Sequence, residues 1–396
     1  VSAWLDEAAA IGDALAAQAV WADDACNWLT RRVPHLMSVP TEPVAALETL
    51  GPSVYNGTAG VALALGRLAR ATGDAAHERA AQGALAHALA HAWDADATPL
   101  GKVGSDWRFG VYGGTLGVAC VARELGRPEA ARAILARLAE SGEPPEHDII
   151  FGSAGAILAL LGMDDAPEAL PLARRLGEGL LSWKPTLTGL SHGASGGALA
   201  LAALHGATGE PRFREGALAL FQWERDRFDA QEGNWPNYQA EPKGGRHPCA
   251  TAWCHGAPGI GLARVQAWPH LRDPRLLDEA RVALAATRRK LATDLADAGR
   301  EAHPCHGTVG LVECAWAIAE GLGDADARGR AEAQMRLLVA RHGREAVARW
   351  GEFAAWPSGA ARGLHPPLMV GAAGVLHLLL RLHDARVPTA LLPTPA

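Results

Sequence analysis

Asn56-Gly-Thr-Ala-Gly60, Gly113-Gly-Thr-Leu-Gly117, Phe151-Gly-Ser-Ala-Gly155, His192-Gly-Ala-Ser-Gly196, His255-Gly-Ala-Pro-Gly259, His306-Gly-Thr-Val-Gly310 and Val370-Gly-Ala-Ala-Gly374 repeat one element. Two glycines three apart open a run of small and aliphatic residues. The first glycines stand at 57, 114, 152, 193, 256, 307 and 371, so the element runs through nearly the whole chain. A recurring internal element is a strong architectural signal, because each copy buries its apolar face only against its neighbours. Charged amphipathic stretches, such as residues 76–91, 211–225 and 274–291, separate the copies. A helix apolar on nearly all sides belongs inside, and one with a charged face outside. The pattern therefore predicts an all-α protein: a double-ring α/α toroid (barrel) of about seven inner and seven outer helices. The glycine pair lets the chain enter each inner helix tightly. An open helical solenoid carries the same pattern, which does not dictate closure.

Composition agrees with helices. Alanine–leucine runs at 62–68, 154–161 and 198–204 dominate, and strand-like β-branched or aromatic runs are scarce. Residues 97–112 and 228–252 are too rich in Gly, Pro, Asn and Trp for simple hairpin turns, and long loops on a helical scaffold often carry function. Residues 1–50 are expected to be N-terminal helices packed on the outside and 51–396 the toroid, with no composition break for a second domain. The net charge of −6 is dispersed, without the basic block that a nucleic-acid partner needs. No run of about 18 apolar residues offers a membrane span. The start, Val1-Ser-Ala-Trp-Leu-Asp-Glu, lacks a basic segment followed by an apolar one, so a cytoplasmic protein is expected. Its first residue is not methionine, as in a chain processed or cut from a longer one.

Aligning the copies on the first glycine brings out the chemistry. Position −1 is histidine in three copies, His192, His255 and His306, and position −2 is cysteine in two, Cys254 and Cys305. Equivalent positions lie at one rim of the ring, where loop turns into inner helix, and copies five and six are adjacent. Two thiolates and an imidazole form a soft three-ligand set that suits zinc and leaves a fourth tetrahedral position open. Singly, each residue has a plainer reading: a free cysteine is a small buried hydrophobe, and a histidine before glycine caps a helix entry. The paired occurrence favours metal. Cys26, Cys120, Cys249 and Cys314 fall off the pattern and read as structural. His192, with Ser191 at −2, sits near the site without a metal duty, and imidazole there is a natural proton donor or acceptor. Asp148, at −4 of copy three, either caps its helix or points into the cavity.

Trp253-Cys-His-Gly-Ala-Pro-Gly-Ile-Gly-Leu-Ala-Arg264 and Pro304-Cys-His-Gly307 carry a resemblance to a known family. Asp148-Ile-Ile-Phe-Gly-Ser-Ala-Gly155, Ser191-His-Gly193 and Met369-Val-Gly-Ala-Ala-Gly374 support it. The chain resembles the lanthionine synthetase cyclases, the LanC-like family, over nearly its full length, with the greatest likeness to the cyclase domain of class II lanthipeptide synthetases. The resemblance implies a toroid of seven inner and seven outer helices, zinc held by Cys254, Cys305 and His306, and acid–base roles for His192 and Asp148. Class I cyclases carry an arginine four residues before the first zinc cysteine. Here that position is Ala250, which leaves Arg246 as the arginine to test against Asp148. His255, Trp253 and Arg246 are the substrate-side candidates. A class II synthetase also has a dehydratase domain, for which 396 residues leave no room. The expected partners are a dehydrated precursor peptide and a dehydratase or kinase, either as a separate protein or as part of a synthetase from which this domain is excised.

The implied reaction is Michael-type addition of a peptide cysteine thiolate to dehydroalanine or dehydrobutyrine, closing a lanthionine or methyllanthionine thioether ring. A free thiol is only a few per cent ionised at neutral pH, the deficiency that zinc makes good. His192 is the expected proton donor to the enolate, and Asp148 either takes the thiol proton or orients a histidine. Three rivals stay open: a zinc protein adding glutathione to dehydrated residues, a non-catalytic peptide-binding module, and a helical-toroid glycosidase or terpenoid cyclase. The last lacks a paired-aspartate motif in the repeats.

Overall fold

The computed structural model describes residues 2–31, 47–94, 107–142, 144, 146–297, 299–344, 356–358, 361–362 and 365–393. Residues 97–106 of the first expected loop lie outside these. Among the described residues the helices are α1 (Ala3–Ala17), α2 (Thr58–Thr72), α3 (Ala75–Ala90), α4 (Thr115–Glu124), α5 (Pro128–Ala139), α6 (Ser153–Leu160) and α7 (Ala169–Ser182). They continue as α8 (Ala194–Thr208), α9 (Pro211–Arg225), α10 (Ala257–Leu271), α11 (Pro274–Ala296), α12 (Thr308–Gly321), α13 (Ala325–His342) and α14 (Ala372–His383).

The even-numbered helices form the inner ring, and each begins on the residue after the first glycine of its copy. Burial separates the two rings. Every residue of α6 is buried, whereas α13 buries only Ala327, Ala331, Met335, Leu338 and His342, a single stripe at helical spacing. Most outer helices start on capping chemistry: Asp74 accepts from Ala76 N and His77 N, Asp324 accepts from Ala327 N, and proline opens α5, α9 and α11.

Closure uses both ends of the chain. α14 packs on α2, and the outer position beside α14 is filled by α1. Ser2 Oγ lies 2.6 Å from His383 Nδ1, and Arg344 N donates to Glu7 Oε1 at 2.8 Å, joining α1 to the ends of α14 and α13. Past α14, residues 384–393 turn into the ring. Tyr112 Oη donates to Ala390 O at 2.7 Å and Trp253 Nε1 to Leu391 O at 2.9 Å, with Leu391 and Leu392 buried.

Where helices are expected across residues 1–50, the described residues hold α1 followed by two short ribbons. Strand β1 (Val20–Ala22) pairs antiparallel with β2 (Ala25–Asn27), and β3 (Leu29–Arg31) with β4 (Leu47–Thr49). Asp23, at φ +52°, makes the two-residue turn between β1 and β2, the backbone that short hairpins demand and that Asp tolerates. A third two-strand ribbon joins β5 (Pro357–Ser358) and β6 (Ala361–Arg362).

Candidate metal centre at the rim of the inner ring

The loops that enter the inner helices share one geometry. A Cβ on the second glycine of each copy would lie between 1.7 Å (Gly310) and 2.4 Å (Gly196) from the carbonyl oxygen six residues earlier. The loop thus doubles back against the first turn of its helix, a close approach open only to glycine. Residues at −2 then form a belt around the inner rim, stitched from copy to copy. Tyr55 N donates to Tyr112 O (2.8 Å), Gly113 N to Ile150 O (3.2 Å) and Ile149 N to Ser191 O (2.9 Å). Ser191 Oγ donates to Cys254 O (3.0 Å). Cys305 N donates to Met369 O (3.0 Å), and Met369 N to Tyr55 O (2.9 Å).

Copies five and six meet through side chains. Cys254 Sγ, Cys305 Sγ and a ring nitrogen of His306 lie within 4.8 Å of one another, and among the described residues no fourth Cys, His, Asp or Glu joins them. The thiols share a hydrogen bond. Donation from Cys305, aided by the charges of His306 and His192, brings Cys254 down to about 7 against the opposing effect of burial. Cys305 is held well above its ordinary value by that same bond and by burial. One member of the pair therefore reaches the thiolate form near neutrality, the state a soft metal needs. Gly256 makes the turn after Cys254 and His255: its φ is +84°, and a Cβ there would lie 1.9 Å from Ala250 O.

A second layer surrounds these donors. Tyr55 Oη donates to Cys305 Sγ at 2.9 Å. His306 Nε2 lies 3.3 Å from Glu301 Oε2, which also takes His303 Nε2 at 3.0 Å. Hydrogen bonds from His303 and His306 hold the Glu301 carboxyl well below the usual range. With Nε2 turned to Glu301, Nδ1 is the His306 nitrogen left for a metal, the usual carboxylate–histidine arrangement behind a zinc ligand. Glu301, His303 and His306 are also close enough together to form a cation cluster, but they share His306 with the thiol pair. The two sulfurs with one imidazole fit zinc better than a carboxylate with two imidazoles.

His192 stands on the next copy. Its Nδ1 is 2.7 Å from Asp148 Oδ2, while Asp148 Oδ1 accepts from Phe151 N at 2.7 Å. Asp148 does not cap α6 itself, whose N-cap Gly152 receives no side-chain bond; one of its oxygens braces the turn that leads into α6 and the other faces an imidazole. The ring of His255 lies 5.7 Å from that of His192, tilted by 31°. Burial, then the charge of His192, pushes His255 down to about 4, and its Nδ1 is buried without a hydrogen-bond partner.

Two substrate-side candidates face elsewhere. Trp253 is fully buried, packing edge-on against Tyr112 with its Nε1–H on Leu391 O, so it anchors the core beneath the belt. Arg246 is no partner for Asp148. It is exposed, paired with Asp229, and donates to Gln231 Oε1 at 2.7 Å, because the 228–252 loop closes on itself. Asn234 ties that loop to α10: its Oδ1 accepts from Ala257 N at 2.9 Å, and its Nδ2 donates to Ala250 O at 2.9 Å. Cys26, Cys120, Cys249 and Cys314 are free thiols outside the metal cluster. Two further residues touch the cluster. Tyr55 occupies −2 of copy one, the position of the two cysteines, and was legible there; Glu301, at −6 of copy six, had no such signal.

Solved structures with similar folds include "Nisin cyclase", at TM-score 0.62 and 16% identity over 85% of this chain and 90% of that one. An unsaturated glucuronyl hydrolase from Bacillus sp. GL1 aligns over 96% of this chain and 97% of its own, at 13% identity and TM-score 0.48, too distant to carry an argument. No curated protein sequence matches the chain significantly. The family model described as "Lanthionine synthetase C-like protein" matches residues 48–392, from the last residues before the first copy to the buried leucines after α14. The chain that carries the Cys254–Cys305–His306 cluster on a seven-copy helical toroid belongs to the lanthionine synthetase C-like family.

Proposed function

We propose that this protein is a zinc-dependent lanthipeptide cyclase, closing thioether rings in a dehydrated peptide. The carrying observation is the convergence of Cys254, Cys305 and His306 within 4.8 Å at the rim of the inner ring, with the His192–Asp148 pair on the neighbouring copy. Family membership and the likeness to nisin cyclase support the same reading. Zinc held by Cys254, Cys305 and His306 would supply Lewis-acid activation of a peptide thiol at neutral pH and an open position for its sulfur.

The remaining chemistry belongs to side chains. The sulfur bonds to Cβ of the dehydro residue, the π electrons move into the enolate, and Cα needs a proton. With Nδ1–H on Asp148, His192 presents Nε2 to the substrate and delivers that proton, recovering it from the incoming thiol; addition is thus an isomerisation that consumes no other reactant. Asp148 fixes the tautomer and supports the charged ring. His255 stays neutral near pH 7, its ring 5.7 Å from that of His192. The dehydrated substrate requires a dehydrating enzyme as supplier. No helix among the described residues is long and apolar enough to cross a membrane.

The test is to incubate the zinc-loaded protein with a dehydrated, cysteine-containing peptide, alkylate the free thiols and weigh the product. Ring closure removes one alkylation site per ring without changing the peptide mass. An unchanged thiol count refutes the proposal, and a glutathione adduct in place of a ring would favour the transferase rival.

A further inference from the structure

The belt places one residue against the metal centre that neither the repeat chemistry nor the proposed reaction uses. Tyr55 comes from copy one and Cys305 from copy six, on opposite sides of the seam where the ring closes. Three hydrogen bonds link them through copy seven: Cys305 N to Met369 O at 3.0 Å, Met369 N to Tyr55 O at 2.9 Å, and Tyr55 Oη to Cys305 Sγ at 2.9 Å. Backbone and side chain of Cys305 are both fixed by this small circuit, which exists only when the ring is closed.

We propose that Tyr55 is a positioning residue of the metal centre, whose hydroxyl aims the Cys305 sulfur at the metal and draws charge from it. The proposal rests on the zinc reading above. An O–H donor on a thiolate weakens that sulfur's donation, leaving the metal a stronger acid toward a third, incoming thiol. Outer partners of this kind commonly set metal affinity and ligand orientation. Cys254 receives no such hydroxyl among the described contacts; Ser191 Oγ goes to its carbonyl instead, at 3.0 Å. The two cysteines are therefore unequal ligands.

The test compares wild type, Tyr55→Phe and Tyr112→Phe. The last loses a similar buried bond, to Ala390 O at 2.7 Å, without touching a ligand. Zinc affinity is measured by chelator competition and the thiolate-to-metal charge-transfer band on Co2+-loaded protein, with melting curves as the folding control. Tyr55→Phe should bind zinc about 10–100-fold more weakly and move the band to longer wavelength; Tyr112→Phe should do neither. Equal effects in the two variants, or none in Tyr55→Phe, overturn the proposal while leaving the metal site standing. A wild-type protein that takes up neither metal overturns the zinc reading and this proposal with it. A second measurement does not depend on the variant folding. The chain has only three tyrosines, so 3-fluorotyrosine labelling gives three fluorine resonances. Stoichiometric Zn2+ should shift that of Tyr55 most. A Tyr55 resonance that stays in place while the protein takes up zinc refutes the contact.

Discussion

Asp148→Asn separates the two jobs of one carboxylate. Oδ1 accepts from Phe151 N and Oδ2 faces His192 Nδ1, both at 2.7 Å. An asparagine can keep the first bond through its amide oxygen, so the entry into α6 survives. Its NH2 then stands where Oδ2 was and donates to Nδ1, which forces the His192 proton onto Nε2 and sets N–H against N–H whenever the ring is charged. A hydrogen bond to a charged group is worth about 1.5–3 kcal/mol, so ring closure should slow by about 10–150-fold with zinc content and melting temperature near wild type. Asp148→Ala deletes the acceptor for Phe151 N as well and should add a stability loss of about 1–3 kcal/mol. The assay is single-turnover thiol loss on a dehydrated peptide. His192→Asn alone should cost roughly 10²–10⁴-fold, the range for lost acid–base catalysis, and adding Asp148→Asn to it should cost little more, because both act through one proton. A folded, zinc-loaded Asp148→Asn protein that cyclises at the wild-type rate refutes the dyad.

Purified protein should hold about one zinc and lose it in Cys254→Ala, Cys305→Ala or His306→Ala; full zinc in all three variants would remove the ligand assignment. Replacing residues 238–247 by a short Gly-Ser turn is geometrically mild, because Asn237 N already donates to Pro248 O at 2.8 Å; it should keep zinc and slow peptide processing, and unchanged processing means the loop does not border the entrance. Acid should destabilise the fold in a defined window. Burial, then the charge of His91, holds His87 at about 4, with Nε2 2.9 Å from Asn27 Nδ2 and Nδ1 3.0 Å from Thr58 Oγ1. The unfolded chain binds that proton more readily, so stability falls as pH drops from about 6.5 toward about 4; His87→Gln should flatten the melting-temperature profile there, and an unaltered slope would exclude His87 as a source.

The ring was legible because its signal is steric and repeated. Each first glycine sits one residue before an inner helix, and each second glycine is required by a carbonyl folded beneath it. The candidate metal donors were legible because equivalent positions in adjacent copies are neighbours in space. What stayed hidden depends on where side chains turn after the backbone is set. Arg246 lies four residues before Ala250 in sequence, yet its charge is met by Asp229 at the other end of the same loop. Trp253 adjoins Cys254, but consecutive residues in an extended turn point opposite ways, so one faces the rim and the other the core. Strands of three residues, as in β1 and β2, are too short to carry a period.

The placement of α1 bears on how the chain is made. α1, which precedes the first repeat, packs against α14, which belongs to the seventh. Leu5, Ile11 and Leu15, buried in the finished protein, have no α14 to cover them until the seventh copy has been made. Until then an apolar helix face stays uncovered, a state open to chaperones and to misassociation with other nascent chains. Docking of α1 on α14 joins the two helices most distant from each other along the toroid's sequence, which makes it slow relative to the hairpins that form along the way.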